Sequence, residues 1–228
     1  MSKRSREEIL HRVRKGLATV KTPALVPPDS RDFSKEAKAV IKSLRNNQDN
    51  LVERFVTEAQ NVNTSVMRAK DSKKLIQSIL RLVKEKSLKS FALWDTAYIK
   101  ELGIKERLKE EGLKVVTVKN KNRIAKADLG ITEADYAIAD TGTLVLLTDK
   151  DRPRGVSLLP PIHLAILRPE NMVSNIRDLF ILLKDRIDTS GDVKSCMTFI
   201  TGPSRTADIE LNLTLGVHGP KELYVIIS

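Results

Sequence analysis

Residues 91–118 read FALWDTAYIKELGIKERLKEEGLKVVTV. Phe91–Trp94 is an apolar run of strand length. Ile99–Glu111 has helical periodicity, and Gly112 stands where a glycine closes a helix by taking a left-handed backbone. Lys114–Val118 returns to strand character with three valines. Strand, helix and strand in succession make a βαβ unit, and such units build a parallel sheet covered by helices. That stretch sets the expected class as α/β. It also directs attention to loops, because ligands of such sheets sit beyond the carboxyl ends of strands.

Upstream the alternation persists. Val62–Met67 reads as a strand. Asp71 and Ser72 are suited to cap a helix carrying Leu75, Ile79, Leu82 and Val83. Earlier still the pattern is only helical. Val40, Ile41, Leu44, Leu51, Val52, Phe55 and Val56 recur at helix spacing, with a polar interruption at residues 46–50. Residues 1–20 form a basic amphipathic pattern around Ile9, Leu10, Val13 and Leu17, which Pro23, Pro27 and Pro28 terminate. Expected boundaries are a helical arm with linker over 1–60 and an α/β domain over 61–228.

Downstream, Ala134–Ala139 and Leu144–Leu147 flank a tight turn, Asp140-Thr141-Gly142-Thr143. Residues 151–155 (DRPRG) form a basic loop. Ile162–Leu167 is a strand, and Pro169 is placed to start a helix through Met172, Val173, Ile176, Leu179, Phe180 and Leu183. Met197–Ile200 and Leu223–Ile227 are the last strands.

Composition narrows the function. The chain has 228 residues and a formal charge of +11, with 16 lysines and arginines against 7 acids between Lys70 and Lys126. The cations interleave with glutamates at helix spacing, which describes a solvated face as well as an anion-attracting one. Without an aromatic-studded strand to stack bases, nucleic acid ranks last among partners. The single cysteine, Cys196, excludes an internal disulfide and a cysteine-ligated iron–sulfur cluster. Its place at the head of a strand suggests a buried, inert thiol. Three scattered histidines give no metal motif. No apolar run approaches about 18 residues, and the expected location is the cytoplasm.

Between Ile200 and Pro220 the chain reads ITGPSRTADIELNLTLGVHGP. Gly202 permits close backbone approach. Ser204 and Thr206 add hydroxyls, and Arg205 can clamp a carboxylate or phosphate. The same hydroxyls also suit helix capping. No P-loop and no dinucleotide fingerprint occurs, so the cofactor is left open. Asp208 and Glu210 read either as acids favoured at a helix start or as a general base and an orienter of Arg205. His218 sits between glycines in a constrained turn, available for proton transfer or held by the backbone. A Ser204–His218–Asp208 triad lacks the Gly-x-Ser-x-Gly elbow. The expected anion pocket therefore pairs Asp140, Thr141, Gly142 and Thr143 with Gly202, Ser204, Arg205 and Thr206. Asp208, Glu210 and His218 are the catalytic candidates.

Five motifs together resemble the LUD (lactate utilisation) domain family. They are Gly130–Asp135, Ile138–Thr143, Leu159–His163, Gly202–Glu210 and Gly216–Pro220. The resemblance covers residues 61–228, most closely the small members that carry only this domain. It implies a three-layer α/β/α fold of the ribose-5-phosphate isomerase and CoA-transferase type. It also implies a part in oxidising L-lactate to pyruvate beside iron–sulfur partner proteins, as a subunit without cluster and not active alone. Asp140 stands where relatives often carry glutamate. A free-standing isomerase or acyl-CoA transferase acting on a phosphorylated or CoA-linked substrate is the alternative. Self-association is open.

Overall fold

The computed structural model describes residues 3–19, 33–118, 121–207, 213–216 and 218–228. The chain divides into two units, Met1–Asp32 and Phe33–Ser228. The first contains helix α1 (Lys3–Thr19), on which Ile9, Leu10 and Val13 are exposed. Residues 33–60, grouped with the arm on sequence grounds, fall in the second unit. They form α2 (Phe33–Asn46) and α3 (Gln48–Asn61), and α3 buries Leu51, Phe55 and Ala59 in the main core.

The chain then continues as β1 (Ser65–Arg68), α4 (Ser72–Glu85), β2 (Ser90–Leu93), α5 (Ala97–Glu101), α6 (Ile104–Glu110), β3 (Lys114–Val115), α7 (Lys121–Ile124) and β4 (Leu129–Glu133). After these come β5 (Tyr136–Ile138), β6 (Thr143–Thr148), α8 (Gly155–Leu158), β7 (Ile162–Leu167), β8 (Met172–Val173) and α9 (Ile176–Ser190). The last strands are β9 (Cys196–Ile200), β10 (Arg205–Ala207), β11 (Leu213–Leu215) and β12 (Glu222–Ile227).

The expected α/β class holds. Six strands form one sheet in the order β1-β12-β7-β4-β2-β3, and every pairing in it is parallel. Helices flank it. A parallel sheet covered on both faces needs apolar residues at successive positions rather than alternate ones. Accordingly β7 is buried at every residue. Asp71 caps α4 as expected, its carboxylate accepting from the Lys74 amide at 2.7 Å. That start aligns Leu75, Ile79, Leu82 and Val83 on one buried stripe.

A second sheet, β8-β5-β6-β9, is mixed, and β10 pairs with β11 in a hairpin. Strand β6 is buried on both sides. Leu144 and Leu146 join the main core, while Val145 and Leu147 join a smaller cluster with Ile138, Val173, Leu179 and Leu183.

Local expectations differ from the structure at three places. The helix expected over 99–111 is split by Gly103, whose φ of +63° ends α5 and starts α6. Pro169 opens a single 3₁₀ turn, and Asn175 starts α9, accepting from the Asp178 amide at 3.0 Å. The strand expected over 114–118 is shorter: β3, at the sheet's edge, pairs at Lys114 and Val115, and the Val116 amide adds a bond to the Phe91 carbonyl at 2.7 Å.

Candidate functional site

The two stretches expected to form a pocket do meet. Ala139–Thr141 makes a 3₁₀ turn and Gly142 closes it at φ +60°. The β6–β9 register pairs Leu144 with Ile200, which sets Thr143 against Thr201. Their hydroxyls bond at 2.8 Å, and Thr141 adds a third hydroxyl 2.7 Å from Thr143. The carboxyl end of α3 packs into this junction. A Cβ on Gly142 would lie 2.3 Å from the Ala59 nitrogen, and one on Gly202 would lie 2.4 Å from the Val62 carbonyl oxygen. Arg205 is exposed and donates to that same Val62 oxygen at 2.7 Å. Arg54 forms an ion pair with Asp140 at 3.0 Å. The Ser204 amide donates to the Pro220 carbonyl at 2.8 Å, and His218 nearby is exposed. Thr206 pairs with Thr214 in the hairpin. Asp208 and Glu210 lie outside the described residues. The junction thus joins Thr141, Thr143 and Thr201 into one hydroxyl chain and commits an Arg205 N–H to the backbone.

A different group of charged residues gathers at the carboxyl ends of β2, β4 and β7. Thr96 follows β2 and caps α5. Glu133 and Asp135 bracket the end of β4, and Arg168 follows β7. With Arg152 and Arg186 they line a cleft of about 320 Å³. Arg152 pairs with Asp135 at 2.8 Å and stacks over Trp94, 5.5 Å from the ring centre. Arg168 pairs with Glu133 at 3.1 Å and lies over Tyr98 at 5.1 Å, while its Nε is buried with no hydrogen-bond partner among the described residues. Arg186 pairs with Asp192 at 2.8 Å.

Two further clefts continue this edge. One of about 640 Å³ shares Thr96 and Arg152 and adds Lys100, Asp149, Lys150 and Lys194. Burial opposes ionisation of Asp149, but amide donors of Arg152 and Asp151 and the Lys194 ammonium together hold its carboxyl below the usual range. The Lys194 ammonium is raised in turn by Asp192 and Asp149. The other, of about 770 Å³, is apolar, with Val118, Ile124, Pro153, Leu158 and Leu159 on its walls. Cys196 lies on that wall and is only half-buried, which corrects the expected buried thiol.

Sequence reading missed the arginine cleft because β4 escaped notice. Its Leu-Gly-Ile-Thr-Glu has a glycine at the second position, which weakens strand character. The glycine has a packing reason. A Cβ on Gly130 would lie 1.9 Å from the Val156 carbonyl oxygen of α8. The usable signal was the DRPRG loop, since Arg152 belongs to it.

A LUD domain model matches residues 52–228. The chain belongs to the LUD domain family. Among curated relatives, Lactate utilization protein C of Halalkalibacterium halodurans is 32% identical over 185 residues, covering 79% of this chain and 80% of that protein. Lactate utilization protein C 1 of Bacillus mycoides is 31% identical over 236 positions, covering 100% of this chain and 99% of that one. The crystal structure of a DUF162 family protein from Deinococcus radiodurans matches with a TM-score of 0.59 at 18% identity, over 79% of this chain and 97% of that chain. At that identity the match speaks for the fold. No described helix of this LUD chain is long and apolar enough to cross a membrane.

Proposed function

We propose that this protein serves in lactate utilisation as a cluster-free LUD subunit. It works with iron–sulfur proteins that carry the electrons and itself holds a small carboxylate. The observation that carries this reading is the similarity to Lactate utilization protein C 1, which takes in 100% of this chain and 99% of that one. The cysteine count supports the division of labour. One cysteine cannot supply the ligands of a cysteine-held iron–sulfur cluster, which fits clusters carried by partner proteins.

The test is genetic and biochemical together. Deleting the gene should abolish growth on L-lactate while leaving growth on pyruvate intact. The tagged protein should recover iron-bearing partners from its own cells. The purified chain alone should not reduce an artificial electron acceptor with L-lactate. Turnover by the isolated chain would overturn the subunit reading. Conversion of a sugar phosphate or a CoA thioester would support the isomerase or acyl-transfer alternative instead.

A further inference from the structure

We propose that the arginine cleft at the carboxyl ends of β4 and β7 binds a small monocarboxylate bearing a hydroxyl beside its carboxyl group. The anion site rests on the geometry alone. The hydroxyl preference rests on the lactate reading above.

Three guanidiniums and two carboxylates line the cleft, and Asp149, Glu170 and Asp192 pair with the same guanidiniums from outside it, so what the cleft offers an anion is directed N–H donors and not a surplus of positive charge. Each guanidinium carries five N–H donors. Arg152 meets Asp135 and, more loosely, Asp149 at 3.7 Å. Arg168 meets Glu133 and, at 3.5 Å, Glu170. These pairs hold the arginines in place and leave donors unused. The buried Nε of Arg168 is one such donor, and a carboxylate engaging Arg168 side-on would take it.

Glu133 and Asp135 are the complementary acceptors. Their side chains are only 12% and 11% exposed. A hydroxyl next to the bound carboxylate can donate to one of them, which a 2-oxo acid cannot do. The cleft's size agrees. About 320 Å³ holds roughly ten water volumes of about 30 Å³ each, enough for a ligand of a few carbons. The junction at Thr143 and Thr201 offers less, because its hydroxyls already satisfy one another and Arg205 is bonded to Val62.

The experiment titrates the full chain with L-lactate, pyruvate and inorganic phosphate by calorimetry. Saturable binding of L-lactate, with pyruvate weaker, is expected. Arg168→Gln should weaken lactate about tenfold or more, as expected for losing a charge-assisted bond. Arg205→Gln should leave it unchanged. Arg168→Lys keeps the charge and the Glu133 pair, so it stays readable if Arg168→Gln fails to fold, and its affinity should fall between the two. Three results would overturn the assignment. They are no saturable binding of any of the three anions, phosphate bound without carboxylate, or lactate binding lost in Arg205→Gln but kept in Arg168→Gln. A deletion strain that still grows on L-lactate, with lactate bound through Arg168, would refute the functional reading and leave the cleft standing.

Discussion

Thr143 and Thr201 share a hydrogen bond at 2.8 Å across 58 residues of chain, and it locks the first residue of β6 to the end of β9. Thr143 is buried while Thr141 and Thr201 are exposed, so Thr143→Val removes the one buried member of the hydroxyl chain. A cost of about 1–2 kcal/mol is expected, read as a lower urea midpoint with an unchanged slope. Gly142→Ala should cost more, on the order of 2–4 kcal/mol, because it adds left-handed strain to a backbone clash with Ala59.

His163 gives a pH prediction. It is fully buried in the middle of the parallel sheet, with Nε2 2.9 Å from the Thr132 hydroxyl, and Nδ1 has no partner among the described residues. Burial pushes its pKa down to about 3. The folded protein therefore holds it neutral, while the unfolded chain takes up a proton near pH 6.5. The stability from this group is complete above that value and is lost as the pH falls towards 3. The slope in this window is about 1.4 kcal/mol per pH unit. Urea midpoints should fall between pH 6.5 and 5, before most carboxylates titrate. His163→Gln should flatten that stretch, and an equal slope in the variant would sink the assignment.

Trp94 is the only tryptophan and is fully buried. Its indole N–H donates to the Pro153 carbonyl at 3.1 Å, beneath the Arg152 guanidinium. Its emission should resist acrylamide quenching. Because Arg152 also lines the arginine cleft, ligand there should change the emission intensity, and Arg152→Gln should remove most of that response.

Gly130 marks the closest approach between sheet and helix. Gly130→Ala should destabilise by about 3 kcal/mol or more, since the added carbon meets the backbone oxygen of Val156 rather than a side chain able to move. Thermal unfolding would show it directly. A wild-type Tm would mean that α8 can shift outward freely.

Much of the fold was legible because it rests on local chemistry. Asp71, Gly112 and the apolar run Ile162–Leu167 each announce an element through capping, left-handed φ or continuous burial. The β5–β6 turn was legible in the same way. The arginine cleft was not, because it is assembled from strand ends brought together by strand order. Glu133, Arg152 and Arg168 are spread along the sequence, and only the adjacency of β4 and β7 unites them. The junction shows the converse. Thr143 looked like a ligand group because it is polar beside glycine, and nothing local says that Thr201, 58 residues on, is its partner.

The two-sided burial of β6 has a consequence for how the chain finds its register. In a strand with one wet face, a slip of one residue drives apolar side chains into water, so the pattern itself forbids the error. Leu144, Val145, Leu146 and Leu147 would be sheltered on either side, and that safeguard is missing. The polar ends supply it. Thr143 finds Thr201 at one end, and at the other the Thr148 hydroxyl donates to the Cys196 carbonyl at 3.2 Å. A shifted pairing would strand both hydroxyls in an apolar interior, so two threonines act as end stops for a strand whose middle cannot tell its own faces apart.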